Sequence, residues 1–150
     1  MTAHHKFFRY YKIYKKTHFR IVRLYLSLKL PKLLRKNNCF LSFKTEFSDT
    51  PCFPHSLMGV FISQHAYIGK NCTIFHHVTI GSTTVGNIGA PTIGDNVYIG
   101  AGAKVIGNVK VGNNVRIGAN CTVVKDIPDN TTVVCAPNRI ITRDKFKNNT

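Results

Sequence analysis

The residue with the clearest chemical potential is His55. It lies in Pro54-His55-Ser56-Leu57-Met58-Gly59-Val60-Phe61-Ile62, where a regular apolar repeat loses its phase. The anchor at Phe53 is followed by the next at Ile62, nine residues on instead of six. Loops that interrupt a regular framework are where function concentrates. An ordinary imidazole titrates near pH ~6.5, so a neutral, proton-accepting form is available at cellular pH. The competing reading is a solvated loop histidine. A second candidate is the loop from Gly81 to Pro91, between the anchors Ile80 and Ile93. It either encloses a ligand or is a variable surface loop. His76 and His77 occupy outward positions of their repeat; they either line a cleft between subunits or, as expected here, are exposed corner or interface residues. His65 faces outward by the same phase and carries no special expectation. The five cysteines form no C-x-x-C pair, and no His and Cys set has zinc spacing. Free buried thiols in a reducing cytosol are expected, with no metal.

These residues must be positioned by the repeat. Ile62, Ile68, Ile74 and Ile80 form one series at intervals of six, and Ile93, Ile99, Val105, Val111, Ile117 and Val123 form another. That period is neither 3.6 nor 2, so it fits neither an amphipathic helix nor a simple hairpin sheet. It is the hexapeptide period of a parallel β-helix. Two residues before each anchor stands a small or β-branched residue, such as Ala66, Cys72, Val97, Ala103 or Cys121. Each hexad then supplies one short strand, one corner and two inward side chains, and three hexads close a triangular coil. Residues 39–53 read as imperfect first hexads anchored by Leu41, Phe47 and Phe53. Pro54 to Val60 should bulge outward. Asp126 to Asn130 should end the repeat. Thr131 to Ile141 reads as a strand returning along the outside.

The remaining chain is strongly basic. Of a net charge of +15, most comes from residues 1–38, which carry eleven Lys or Arg and no Asp or Glu. The first few residues are expected to be mobile. A basic amphipathic helix is expected from about Lys12 to Leu30, broken near Pro31, with a short helical piece from Lys32 to Lys36. It either caps the open end of the β-helix or lies on an anionic membrane surface. Nucleic-acid binding is not expected, because no recognition motif accompanies the charge. The start has no apolar signal-peptide core, and no run approaches the ~20 apolar residues of a membrane span. The expected organisation is a helical segment at 1–38, a β-helix at 39–141 and a polar tail at 142–150.

The runs Ile93-Gly94-Asp95-Asn96-Val97-Tyr98-Ile99-Gly100-Ala101-Gly102-Ala103-Lys104 and Val111-Gly112-Asn113-Asn114-Val115-Arg116-Ile117-Gly118-Ala119-Asn120 resemble the left-handed β-helix acyltransferases. Within them, the chain is most similar to serine acetyltransferases and their short relatives that O-acetylate capsular and other bacterial saccharides. The resemblance spans about residues 40–141. It implies an all-β, left-handed parallel β-helix with a short helical segment ahead of it. It also implies acetyl-CoA as co-substrate, a homotrimer with active sites between subunits, and His55 as general base. The matching coenzyme contacts are Gly81, Ser82 and Thr83 on the loop and Ala101 and Ala119 on the coils. Arg116 matches a position that is usually basic and could meet a phosphate.

Departures from that pattern shape the expected acceptor. Serine acetyltransferases place an Asp directly before the catalytic His and another about fifteen residues upstream; here those positions are Pro54 and about Phe40. Their Arg-His-Pro on the long loop is here Gly89-Ala90-Pro91. Val134-Cys135-Ala136-Pro137-Asn138-Arg139-Ile140 resembles the family's closing motif with Cys135 and Asn138 substituted. The expectation is therefore acetyl transfer to a saccharide hydroxyl, in the cytoplasm or at the inner membrane face. Serine O-acetylation for cysteine synthesis and a non-catalytic scaffold are the alternatives.

Overall fold

The computed structural model describes residues 2–83 and 88–136. Two helices, α1 (Ala3–Lys16) and α2 (Arg20–Lys36), precede a run of two- and three-residue strands. The strands form three parallel sheets, the three sides of a coil. The first side stacks β2 (Phe61–Ile62), β5 (Thr79–Gly81), β8 (Lys104–Ile106) and β11 (Thr122–Val123). The second stacks β1 (Glu46–Phe47), β3 (Tyr67–Ile68), β6 (Thr92–Ile93) and β9 (Lys110–Val111). The third stacks β4 (Thr73–Ile74), β7 (Tyr98–Ile99), β10 (Arg116–Ile117) and β12 (Thr132–Val133). This is the expected parallel β-helix, and the period of six has a direct cause. Each anchor pairs in register with the anchor one coil away, as in Ile74↔Ile99 and Ile99↔Ile117. Anchors therefore form columns, and Ile62, Ile68, Ile74, Ile80, Ile93, Ile99 and Ile117 are all wholly buried. The small residues two positions earlier are buried as well.

The corners hold the sides together by side-chain ladders. At the turn between the second and third sides, Asn71, Asn96, Asn114 and Asn130 all adopt positive φ, near +52° to +58°. Asparagine tolerates that region better than most residues. The Asn71 amide donates to Asn96 (2.9 Å), Asn96 to Asn114 (3.1 Å) and Asn114 to Asn130 (2.9 Å). Beside them the Asp95, Asn113 and Asp129 side chains accept backbone N–H groups of the preceding coil at 2.7–2.8 Å. Gly94 allows the coils this approach, because a Cβ there would lie 2.7 Å from the Gly112 carbonyl.

The imperfect first hexads do form a coil. Phe40 bridges to Phe61 and Cys52 to Thr73, while β1 pairs with β3. Its open end is covered by α1, so the capping role expected of the basic segment is present. Phe7 stacks on Phe43 with ring centroids 5.9 Å apart. Phe8 meets Phe47 edge-on at 5.1 Å. The Tyr11 hydroxyl donates to the Thr45 carbonyl at 3.1 Å and accepts the Phe47 N–H at 3.4 Å.

Several sequence expectations are corrected. The first helix starts at Ala3, not Lys12, because Phe7, Phe8 and Tyr11 are needed as the cap. The chain breaks at Thr17–Phe19, not at Pro31. Pro31 lies inside α2, where it forfeits a helical hydrogen bond at a cost of about 3 kcal/mol. Leu26, Leu30 and Leu34 are buried on both sides of it, and that packing keeps the helix continuous. The 54–60 loop does not simply bulge outward, since Leu57 and Val60 are fully buried. The repeat does not stop at Asp126–Asn130. Ile127 bridges to Val111, and β12 pairs in parallel with β10. The segment after Thr131 thus extends the third side instead of returning outside, because it satisfies the edge that β10 would otherwise expose. Of the cysteines, Cys39, Cys72 and Cys121 are buried, while Cys52 and Cys135 are exposed. Residues 137–150, including the polar tail and most of the closing motif, lie outside the described residues.

Two predictions follow from column and cap. Ile99→Ala should lower unfolding free energy by about 2–5 kcal/mol and Phe7→Ala by about 3–5 kcal/mol, read by urea titration. Burial also pushes the Cys39 thiol up from 9.0 to about 11. Between those values the unfolded chain gives up a proton that the folded chain keeps. The Cys39 contribution is therefore intact below pH 9 and shrinks as pH rises toward 11. Unfolding of wild type and Cys39→Ala across that range should show a wild-type stability that falls more steeply.

Candidate active site

Coil register places His55. The third-side anchors are Phe53, Ile74, Ile99, Ile117 and Val133, and two residues after each comes a corner residue: His55, His76, Ala101, Ala119 and Cys135. Backbone bonds tie this corner from coil to coil. The Gly102 N–H donates to the His76 carbonyl at 3.0 Å, and the Asn120 N–H to the Ala101 carbonyl at 2.8 Å. Cys135 Sγ lies 3.3 Å from the Ala119 carbonyl and 2.6 Å from Cys121 Sγ. Neighbouring coils are about 4.8 Å apart, so His55, Ala101 and Ala119 share one continuous edge.

The loop that carries His55 is fixed at both ends. Ser56 donates its N–H to Phe53, and Val60 to Leu57, at 3.0 and 3.1 Å. Gly59 donates to the Asn37 carbonyl at the end of α2, at 3.2 Å. Gly59 has φ +62°, and its Cβ, were there one, would collide with the His77 ring. The glycine therefore lets His77 close over the loop, where the His77 N–H donates to the Met58 carbonyl at 3.0 Å.

His55 is exposed, and its ring meets the edge of His76 at 4.8 Å and 83°. The Phe75 ring is tilted against it at 5.7 Å. His76 differs from its expectation as an outward corner residue. It is half-buried, and its Nδ1 is a buried polar atom without a hydrogen-bond partner. Leaving such an atom unpaired costs about 1–3 kcal/mol, and its place beside His55 makes His76 a further candidate for the site. Sequence reasoning left this partnership unread, although the shared offset from Phe53 and Ile74 was available. An aromatic strip continues from Phe75 to Tyr98 at 5.1 Å, and the Arg116 guanidinium lies over the Tyr98 ring at 4.7 Å. Arg116 is thus held on the third side of the coil by a cation–π contact.

The remaining coenzyme candidates lie elsewhere on the monomer. Gly81, Ser82 and Thr83 stand at the far end of β5 from His76, one side of the coil away. They line a groove of about 610 Å³ with Phe40, Phe61 and Ile88. His65, which carried no special expectation, lines the same groove. The Ser63 hydroxyl donates to that of Ser82 at 3.1 Å. The loop's stem is closed by Thr83, whose N–H donates to the Gly89 carbonyl at 2.9 Å while its hydroxyl accepts the Gly89 N–H at 3.1 Å. Residues 84–87 of that loop lie outside the described residues. One coil stack therefore joins His55 to Ala101 and Ala119 but does not bring Gly81, Ser82, Thr83 or Arg116 to the same corner. Among the described residues, no cluster of three or more His, Cys, Asp or Glu is arranged to hold a metal.

Comparison with known proteins bears on the repeat and on the fold. Residues 90–125 match the family described as bacterial transferase hexapeptide (six repeats). Probable serine acetyltransferase 5 of Oryza sativa subsp. japonica is 54% identical over 87 residues, covering 57% of this chain and 25% of that protein. The serine acetyltransferase of Mycobacterium tuberculosis is 50% identical over 84 residues, covering 55% of this chain and 37% of the relative. The crystal structure of Neisseria gonorrhoeae serine acetyltransferase in complex with serine superposes with a TM-score of 0.77 at 26% identity, covering 93% of this chain and 57% of that one. The chain thus spans a quarter to two fifths of the curated relatives it matches. Residues 90–125 thus match the bacterial transferase hexapeptide repeat, and the coil that contains them has the fold of the serine acetyltransferase coil it superposes on.

Proposed function

We propose that this chain is an acetyl-CoA-dependent O-acetyltransferase in which His55 is the general base and the hydroxyl of serine is the acceptor. The observation that carries the reading is the placement of His55 and His76 on one edge of a coil with Ala101 and Ala119. Its relatives named here are serine acetyltransferases, and they favour serine over the saccharide expected from the sequence.

The acetyl thioester supplies the acyl group and a thiolate leaving group. Exposed His55 can reach a hydroxyl in solution or in a cleft and take its proton as the oxygen attacks the acetyl carbon. The same proton can then be passed to the departing thiolate, leaving an acetyl ester and a free thiol. The His55 ring packs against the rings of His76 and Phe75, which hold it at the corner. Ala101 and Ala119 keep the edge below His55 free of bulk, so a thin pantetheine arm could lie against the corner backbone.

The second group of candidates supports a reading with more than one subunit. Gly81, Ser82 and Thr83 sit at the end of β5 away from the His55 corner, and a homotrimer in which one chain's groove faces a neighbour's corner would accommodate both groups. A saccharide acceptor remains the second reading. Pro54 and Gly89-Ala90-Pro91 favour it, because they offer no side-chain charge where the resemblance expects an Asp and an Arg to serve an amino acid.

The test is thiol release from acetyl-CoA, assayed with serine and then with a panel of sugars. Serine-dependent release is expected. Release with sugars alone would transfer the proposal to the second reading, and release with neither, joined to no calorimetric binding of acetyl-CoA, would leave only a scaffold. His55→Ala should lower turnover about 10²- to 10⁴-fold with an unchanged circular dichroism spectrum. Light scattering should give a trimer.

A further inference from the structure

Helix α2 has two apolar faces. Leu26, Leu30 and Leu34 repeat at four-residue intervals and are buried toward the coil and its cap. Ile21, Leu24, Tyr25 and Leu28 follow the i, i+3, i+4, i+7 pattern on the opposite face. They are 82%, 63%, 57% and 70% exposed, respectively. A helix that only capped a solenoid would need one apolar stripe. The second is paired with charge. Continuing the stripe from Leu28 by four and seven residues reaches Lys32 and Arg35, both exposed. On its flank the Lys29 ammonium lies 5.3 Å over the Tyr25 ring.

Charge decides between the surfaces that could cover this face. Residues 1–38 contain eleven Lys or Arg and no Asp or Glu. A second copy would bring the same unpaired positive field to the interface, and like charges there are costly. A nucleic-acid backbone would meet the cations but leave the apolar stripe in water. An anionic lipid surface meets both, with apolar side chains at the headgroup boundary and long cations at phosphate level. No described helix is long and apolar enough to cross a membrane, so the geometry is that of a helix lying in the interface plane.

We propose that the outer face of α2, through Ile21, Leu24, Tyr25 and Leu28 with Lys29, Lys32 and Arg35, docks the protein onto an anionic membrane surface. This stands apart from the catalytic reading, because none of these residues touches His55 or the groove.

The test is co-sedimentation of the full chain with vesicles of phosphatidylcholine alone and of phosphatidylcholine mixed with phosphatidylserine. Binding is expected only to the mixed vesicles and should weaken with added salt. Lys29→Gln, Lys32→Gln and Arg35→Gln should each weaken it about fivefold. Leu24→Ser and Leu28→Ser should each weaken it about tenfold. All five substitutions replace exposed side chains, so unfolding midpoints and acetyl transfer should be unchanged. Absence of binding to mixed vesicles, equal binding to neutral ones, or undiminished binding by both kinds of variant would each overturn the proposal. A lipid-free assembly that falls apart in Leu24→Ser/Leu28→Ser would also overturn it, assigning the face to another copy of the chain.

Discussion

Parallel register between successive coils is the constraint on which the structure depends. Two- and three-residue strands cannot stand alone, since each contributes only a few backbone bonds. Their stability comes from stacking, with Ile74, Ile99 and Ile117 held in one column by the pairing of their strands. A slip of one residue would turn that column outward and expose every anchor at once. The hexad spacing, the small residues beneath each anchor and the tight approach of Gly94 to Gly112 all serve that single alignment.

The same alignment turns a fold into a candidate site. Because coils repeat, residues from distant parts of the sequence inherit the same place on a corner. His55, His76, Ala101 and Ala119 come from different coils yet occupy one edge. On either side of both insertions the anchors keep their columns, Phe53 and Ile62 around the first and Ile80 and Ile93 around the second. Irregular backbone is thereby held on a stiff frame, and it is where His55 and the stem of the long loop are found.

Much of this was legible from residue spacing, and what was not has identifiable causes. The anchors from Ile62 to Val123 could be read because each makes the same demand on its neighbours. The first coil was legible through Leu41, Phe47 and Phe53. The early start of α1 was hidden because its apolar face is aromatic and serves the coil's end, not an ordinary helix pair. Continuity through Pro31 was hidden because local propensity opposes it and tertiary packing decides. The coil formed by Ile127 and Val133 was missed because Pro128 and its polar neighbours have the composition of a terminating turn. The pairing of His55 with His76 was hidden by the insertion between Phe53 and Ile62, which obscures their common offset. The split between Ala101 and Ala119 on one corner and Gly81, Ser82 and Thr83 on another could not come from matching motif positions, which carry no distances.

One corner has a directional property. Each amide in the series Asn71, Asn96, Asn114 and Asn130 gives its hydrogen to the oxygen of the next. Were one interior amide to rotate by half a turn, it would face nitrogen with nitrogen on one side and oxygen with oxygen on the other. The four amides therefore share one sense of orientation, and reversing it requires turning them together. A row of aligned amide dipoles thus runs up the solenoid, giving this edge an electrical polarity that hydrophobic columns cannot supply.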